Sequence, residues 1–568
     1  MADDSSSPER PPAPKRSASA LIATGILLSR LSGLIRESIL GSFIGLGAAA
    51  DALGTAIRLP NVMQMLLGEG ALSASFIPVY AAELDEDEEE AGRIAGAVAS
   101  ILALISAVLV VLGVIFARPL AKLIAWGFDD EKLDMAASLM RITFPGAGIL
   151  VLSAWCLGVL NSHRRFFLSY VAPVLWNVAQ IAVVVGAVVF FGVDELVHSG
   201  GVELTPTNEL TVLSGTIRAA AWGLLAGSIL QFLVQVPTVA KLASNLRFRL
   251  DTNRPGVREV RRRFGGALLG RGVVQISALI DVFLASLLVD AAVGALVKTQ
   301  VLYVLPISIF AVSVAASELP ELSRIKDPGQ IRDRAQAGFR RISFFVGFAA
   351  IAYILLGDTI VGTIYERGNF NSDDTLLVWL ALAAYSLALP ASAVSRLTQN
   401  TLWSQGDTAG PARIAVVRLI TASVVSVAVM WAFDAIKPSD VRDLLPTLSD
   451  APDFSDPAAV DALRFGAVGI TLGSAVSGWV EAILLWRLAR KAVPGVSPLR
   501  PLKSLAPALG TAAVVAVVMR FVVDGWWTPL AMVVAVGLSG LSYVGVARAT
   551  GVAEVNHLLV GPLKRLRR

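Results

Sequence analysis

The sequence predicts an all-α protein, a polytopic helical bundle that crosses a membrane about fourteen times. Three observations lead there. The chain has 568 residues, of which 55% are hydrophobic and only 16% charged, whereas a soluble protein carries roughly a quarter charged residues. Its mean hydropathy is +0.68. The charge is also segregated: short charged stretches separate long apolar runs such as Ile101–Ala117, Ile181–Phe191, Ala506–Val523 and Pro529–Ala547. A helix needs about twenty apolar residues to cross the hydrocarbon core. With no water there to satisfy backbone groups, the spans must be helical.

In chain order the expected spans are 18–43, 52–82, 93–117, 133–161, 168–192, 214–242, 262–289, 292–322, 339–365, 374–404, 410–433, 464–491, 503–523 and 527–549. Pro60, Pro78, Pro145, Pro306 and Pro390 interrupt several runs and loosen their boundaries. Residues 1–17 (MADDSSSPERPPAPKRS) are polar and proline-rich, so a disordered cytoplasmic tail is expected. The first apolar run continues into LSRLSGLIRES without a small-residue cleavage site, so it is expected to be retained.

An even number of spans places both termini on one side, and the distribution of Lys and Arg chooses that side. The segment Lys241–Arg263 carries eight Lys/Arg, Arg324–Arg341 six and Arg487–Lys503 five. His163-Arg164-Arg165 and the basic tail 550–568, ending KRLRR, fall on the same side. The opposite loops are acidic: Gly192–Thr211 has four acids and no Lys or Arg, and Asp434–Leu463 has seven acids against two basic residues. Both termini are therefore expected in the cytoplasm. Glu83–Arg93 (ELDEDEEEAGR) is an acidic cytoplasmic exception, which a rule that counts Lys and Arg tolerates. The basic loops also suit anionic lipid headgroups, although topology alone explains them.

A weak internal repeat suggests the domain organisation. Ala74-Ser75-Phe76-Ile77-Pro78 echoes Ala316-Ser317-Glu318-Leu319-Pro320 at an offset of 242 residues. Leu160-Asn161-Ser162 and Pro173 likewise echo Leu402-Trp403-Ser404 and Pro411. Two parallel six-helix lobes are expected, at 18–242 and 262–491, followed by a helix pair at 503–549. Parallel repeats about the membrane normal are a transporter architecture, with the substrate between the lobes near midplane.

Enzymatic chemistry finds little support. The single cysteine, Cys156, lies in an apolar run, so no disulfide forms within the chain. His163, His198 and His557 have no metal-ligand spacing, and phosphate-binding, nucleophile-elbow and HExxH motifs are missing. No catalytic group, cofactor, metal or nucleic-acid partner is expected.

The informative residues are charges inside apolar spans, which cost several kcal/mol unless they meet a partner or a wet cavity. The first two spans hold Arg30, Arg36, Glu37, Asp51, Arg58 and Glu69, and others are Arg271, Asp281, Lys298 and Arg396. Clustered cations suit an anionic substrate, because guanidinium groups bind phosphate through paired hydrogen bonds. Arg141, Arg218, Arg418 and Arg520, near span ends, are expected to form structural pairs or to snorkel. Asp281 is read either as a coupling site for Na+ or H+ or as a hydrogen-bonded interhelical acid.

Ser29–Glu37 (SRLSGLIRE), Ala50-Asp51-Ala52, Arg58-Leu59-Pro60-Asn61 and Gly68-Glu69-Gly70-Ala71-Leu72-Ser73 resemble the opening of the MurJ/MviN lipid II flippase family. Ile142-Thr143-Phe144-Pro145, Ala172-Pro173 with Asn177, Gln275-Ile276-Ser277, Leu319-Pro320 and Tyr365-Glu366-Arg367-Gly368 follow in the family's order. The family belongs to the multidrug/oligosaccharidyl-lipid/polysaccharide exporter superfamily. The resemblance implies a multi-pass protein of the bacterial inner membrane that moves lipid II to the outer leaflet by alternating access. It implies substrate-binding roles for Arg30, Arg36, Asp51, Arg58 and Arg396, and a groove for the polyprenyl tail in the last two spans. It also implies membrane lipids and the cell-wall synthesis machinery as partners. The alternative is export of another polyprenyl-diphosphate-linked saccharide; a multidrug antiporter should have an acidic cavity, and a scaffold gains nothing from buried charge.

The chain departs from the family pattern in two places. Gln64-Met65 stands where an arginine pair is common, and Val301 and Val304 stand where the eighth span commonly has arginine and glutamate. Lys298, one helix turn before Val301, or Arg271 in the seventh span is expected to replace the missing cation.

Overall fold

The computed structural model describes residues 16–191, 208–243, 245–311, 325, 327–405, 407, 409–436, 464–552 and 554–555. Among the described residues every regular element is helical. The first twelve helices are α1 (Arg16–Ile44), α2 (Ala48–Leu67), α3 (Glu69–Glu86), α4 (Glu88–Ile115), α5 (Ala117–Ile124), α6 (Asp130–Ser162), α7 (Phe166–Phe191), α8 (Glu209–Val212), α9 (Ser214–Leu242), α10 (Pro255–Ser286), α11 (Ala292–Pro306) and α12 (Pro328–Leu355). Then follow α13 (Gly357–Tyr365), α14 (Ser372–Ser386), α15 (Leu389–Ser404), α16 (Ala409–Asp434), α17 (Gly466–Ala492), α18 (Leu499–Val522) and α19 (Thr528–Ala549).

The described residues of each of the fourteen expected spans fall on a helix or a broken helix pair, and residues 312–322 of the eighth lie outside the description. Ten described helices are long and apolar enough to cross a membrane, or eleven if the pair α14–α15, bent by 42°, is one span. The protein is an integral membrane protein. Helix α1 carries Arg30, Arg36 and Glu37, and α2 carries Asp51 and Arg58.

The breaks differ from those the prolines suggested. Pro60, Pro78 and Pro145 lie inside continuous helices, and the second span breaks at Gly68 instead. Transmembrane helices absorb proline because neighbouring groups satisfy the freed carbonyls. Pro390 does mark a break, in the first turn of α15, and α11 passes at Pro306 into one π-turn, Ile307–Ala311. The ninth span ends earlier than expected, at Leu355, and residues up to Tyr365 form the separate α13. The expected disordered tail lies outside the described residues except for Arg16 and Ser17, which already belong to α1. Ala316–Pro320, one half of the proposed repeat, and residues 556–568 of the basic tail also lie outside them.

In the first part of the chain α1 packs on α7, α7 on α9, α9 on α6, and α6 on α2 and α4. In the second, α16 packs along α17, α17 against α14 and α15, and α12 against α15 and α18, with α19 beside α18. Helix α10 bridges the two sets, packing most broadly on α3 and less on α16. Much of α4, α16, α18 and α19 is exposed apolar surface, as lipid-facing helices require.

Candidate functional site

A seam between the two sets of helices collects the intramembrane charges into three groups. The innermost centres on Glu37 of α1, 8% exposed. Its carboxylate accepts from Lys298 Nζ of α11 at 3.2 Å and from Arg36 at 2.5 Å. Lys298, 6% exposed, also donates to the Glu37 carbonyl at 2.9 Å and lies 5.3 Å from the Tyr365 ring centre. The Arg36 guanidinium stacks over Trp176 at 4.6 Å. One carboxylate thus faces two cations, leaving a net positive charge away from water. The Arg36 Nε and the Tyr365 hydroxyl are buried without a hydrogen-bond partner. Unpaired buried donors are costly, and a net-positive group with spare donors is chemically fitted to an anion.

The second group joins α2, α10, α16 and α17. Arg58 donates to Gln300 Oε1 at 3.0 Å, while its Nε has no partner. Asp281 is buried and makes no hydrogen bond among the described residues; the charges facing it are Arg58 and Arg418. Arg418 pairs with the buried Glu481 at 3.1 Å, and Gln399 donates to the same carboxylate at 3.2 Å. Arg396 is exposed and unpaired among the described residues, with Arg418, Glu481 and Tyr303 as its electrostatic neighbours.

The third group zips one end of the seam shut. Asp51 Oδ1 accepts from the Gly294 N–H at 2.8 Å, and Lys132 pairs with Asp290. The Asn369 N–H donates to the Ser42 carbonyl at 2.8 Å, and its side-chain amide to the Phe43 carbonyl at 2.7 Å. Gly45, at φ +72°, turns the chain here; a Cβ would lie 2.5 Å from the Asn369 carbonyl. Glu209 accepts from the Ala48 and Ala49 N–H groups, both at 3.1 Å, capping α2. Burial raises the pKa of Glu209 above the usual carboxylate value; the two N–H groups oppose that, and Asp290 adds to it. Away from this end Arg30, Met65, Ile276 and Val304 are exposed.

Of the residues expected from sequence, the structure brings Arg36, Asp51, Arg58 and Lys298 to the seam. Asp281 and Arg396 are reached through Arg418, Arg30 lies exposed on α1, and the Arg271 side chain lies outside the description. Lys298 is held by Glu37 rather than free in a cavity. Arg418 and Arg520 are structural pairs as expected, the latter with Asp358 at 2.8 Å. Sequence reasoning missed Gln300, Tyr365, Asn369, Glu209 and the Lys132–Asp290 pair. Apart from Gln300, which lies inside the eighth expected span, they stand near span ends, where polarity looks like ordinary interfacial chemistry until the fold pairs them.

The sequence profile of a family described as "Lipid II flippase MurJ" matches residues 40–437. A "Probable lipid II flippase MurJ" of Rhizobium tropici is 29% identical over 472 residues, which is 81% of this chain and 78% of that protein. A "Lipid II flippase MurJ" of Burkholderia cenocepacia is 29% identical over 404 residues, 69% of this chain and 74% of its own length. A solved structure titled "Lipid II flippase MurJ, inward closed conformation" superposes with a TM-score of 0.69 at 20% identity, over 93% of this chain and 99% of that one.

Proposed function

The chain belongs to the MurJ lipid II flippase family, and from that premise we propose that it moves lipid II from the inner to the outer leaflet. Its site is the seam between two lobes, 18–242 and 262–491. The observation that carries this is the buried Glu37 carboxylate shared by Arg36 of one lobe and Lys298 of the other. Transport breaks and forms no covalent bond, so the work reduces to binding an anion and exchanging contacts.

The distribution of Lys and Arg between the loops supports both termini in the cytoplasm, and the family supports a bacterial inner membrane as the location. The zipped end is then periplasmic, and the state described faces inward. The headgroup diphosphate enters past Arg30 and competes with Glu37 for Arg36 and Lys298. Arg58, held by one bond to Gln300, turns to the phosphate as well. Losing these cations removes contacts that bind the lobes together, so occupancy favours opening outward. The polyprenyl tail stays in lipid or along α18 and α19.

Coupling follows from charge balance. Asp281 faces Arg58 and Arg418, which disfavours a further cation. When phosphate takes Arg58, Asp281 gains room for Na+ or H+. A charge moving through 100 mV of membrane potential supplies about 2.3 kcal/mol. Valines at 301 and 304, with Val304 exposed, favour a second reading: a polyprenyl-diphosphate carrier with a different saccharide.

Complementation of a bacterium depleted of its own lipid II flippase tests the proposal. The wild-type chain should restore growth, and well-expressed Arg30→Ala and Arg36→Ala should fail. Growth with both variants overturns the cavity. Failure of a correctly inserted wild type favours the other saccharide.

A further inference from the structure

Arg36 reaches the seam from α1, but its plane is fixed by α7. The guanidinium lies 4.6 Å over the Trp176 ring. Only 15% of the Arg36 side chain is exposed, so the stack is largely away from water, where such contacts are strongest. The ring takes the face of the guanidinium and consumes none of its donors. The edge is left for oxygen partners: one terminal nitrogen serves Glu37, and Nε has no hydrogen-bond partner.

The indole is itself held from behind. Its Nε1–H donates to Ser228 Oγ of α9 at 3.2 Å, and that hydroxyl donates to the Leu224 carbonyl at 2.8 Å. A Cβ on Gly227 would lie 2.9 Å from the indole Cδ1 and 2.6 Å from the Trp176 carbonyl oxygen. Helix α9 can therefore press against the ring only because that position is bare. Asn177, the next residue of α7, donates to Ser32 Oγ of α1 at 2.9 Å. Ser32 stands one helical turn before Arg36, so this bond sets the register of α1 on α7 and keeps Arg36 above the ring.

We propose that Trp176 is a positioning residue for the transported anion: it holds the Arg36 guanidinium in place while Arg36 exchanges the Glu37 carboxylate for a phosphate. This rests on the reading of the seam as a diphosphate site and adds how the exchange is made. In the zipped state Glu37 and the ring both fix Arg36. Once Glu37 is left to Lys298, only the ring does, so the ring counts for more with the anion bound than without it. A long side chain that must be ordered on binding weakens the binding, and the ring has ordered this one beforehand. An aliphatic residue at 176 would leave Arg36 to be ordered by the phosphate alone.

The test measures binding of farnesyl diphosphate to the purified full chain by isothermal titration calorimetry, with farnesol as the uncharged control. Trp176→Leu should weaken binding about tenfold, or ~1.4 kcal/mol. Trp176→Phe, which keeps a ring, should stay within about threefold of the wild type. In an Arg36→Met background the Trp176→Leu change should have no further effect, because the ring acts through the guanidinium. A merely structural tryptophan would give equal losses in both backgrounds, and that result overturns the inference. Wild-type affinity in Trp176→Leu overturns it too, as does a loss in Trp176→Phe as large as in Trp176→Leu. A wild type that binds farnesyl diphosphate no better than farnesol overturns the diphosphate reading of the seam, and the inference with it. If Trp176→Leu fails to fold, Ser228→Ala, which only frees the indole, takes its place in the cycle. It should weaken binding about threefold in the wild-type background and leave it unchanged in the Arg36→Met background.

Discussion

Glu37 is bound from two sides, so its two partners are not equivalent to remove. Lys298→Met leaves the carboxylate one buried cation and breaks a contact between lobes; the expected cost is on the order of 3 kcal/mol. Glu37→Gln removes the same contact from the other side and also deprives Arg36 of its carboxylate, so the double variant should cost less than the sum of the two singles. Thermal unfolding of the two singles and the double measures this, and strictly additive losses would show that the pair carries no coupling. Glu209 gives a pH dependence. Burial raises its pKa in the zipped state above the ordinary value of 4.5. Its contribution to that state is therefore fully present below the ordinary value and fades as pH rises through the raised one. The melting temperature of the wild type should fall across that window, and that of Glu209→Gln, which keeps an acceptor for the α2 N–H groups, should fall less. The sequence shows such residues only as charges in or near spans. Which carboxylate meets which cation is invisible there, because Glu37 and Lys298 stand 261 residues apart.

At the level of elements, hydropathy predicts where helices exist better than where they break. The apolar runs of α4, α6, α9 and α17 are legible because each is long enough to cross a bilayer. The break at Gly68 is not, since Pro60 and Pro78 in the same expected span looked stronger and the neighbouring helices accommodate them. The α1–α2 turn depends on backbone geometry. Gly45→Ala adds a Cβ at positive φ and drives it into the Asn369 carbonyl. Strain of this kind costs about 1–3 kcal/mol, so the zipped end should loosen. Faster alkylation of a cysteine placed at Ser42 would register it, and an unchanged rate would mean the turn relaxes freely.

The whole molecule must exchange one closed end for the other if it works by alternating access. In a Cys156→Ala background, cysteines at Ser42 and Asn369 should be joined by a short thiol cross-linker, since these residues share a backbone hydrogen bond in the zipped state. Cross-linked protein should stop supporting transport, and cleaving the linker should restore it. Full activity of the joined protein would mean that this end never needs to open.

The sequence alone determined that this is a helical membrane protein of the MurJ family, and which charges sit where charge is expensive. Those properties are local: a run of apolar residues crosses a bilayer whatever its neighbours, and SRLSGLIRE can be read in place. Only the tertiary structure decided that Lys298 serves Glu37, that Asp281 faces two arginines, and that Glu209 caps α2. Pairing depends on which helices touch and how they are turned. Packing between segments hundreds of residues apart sets both, and no spacing within a single span records it.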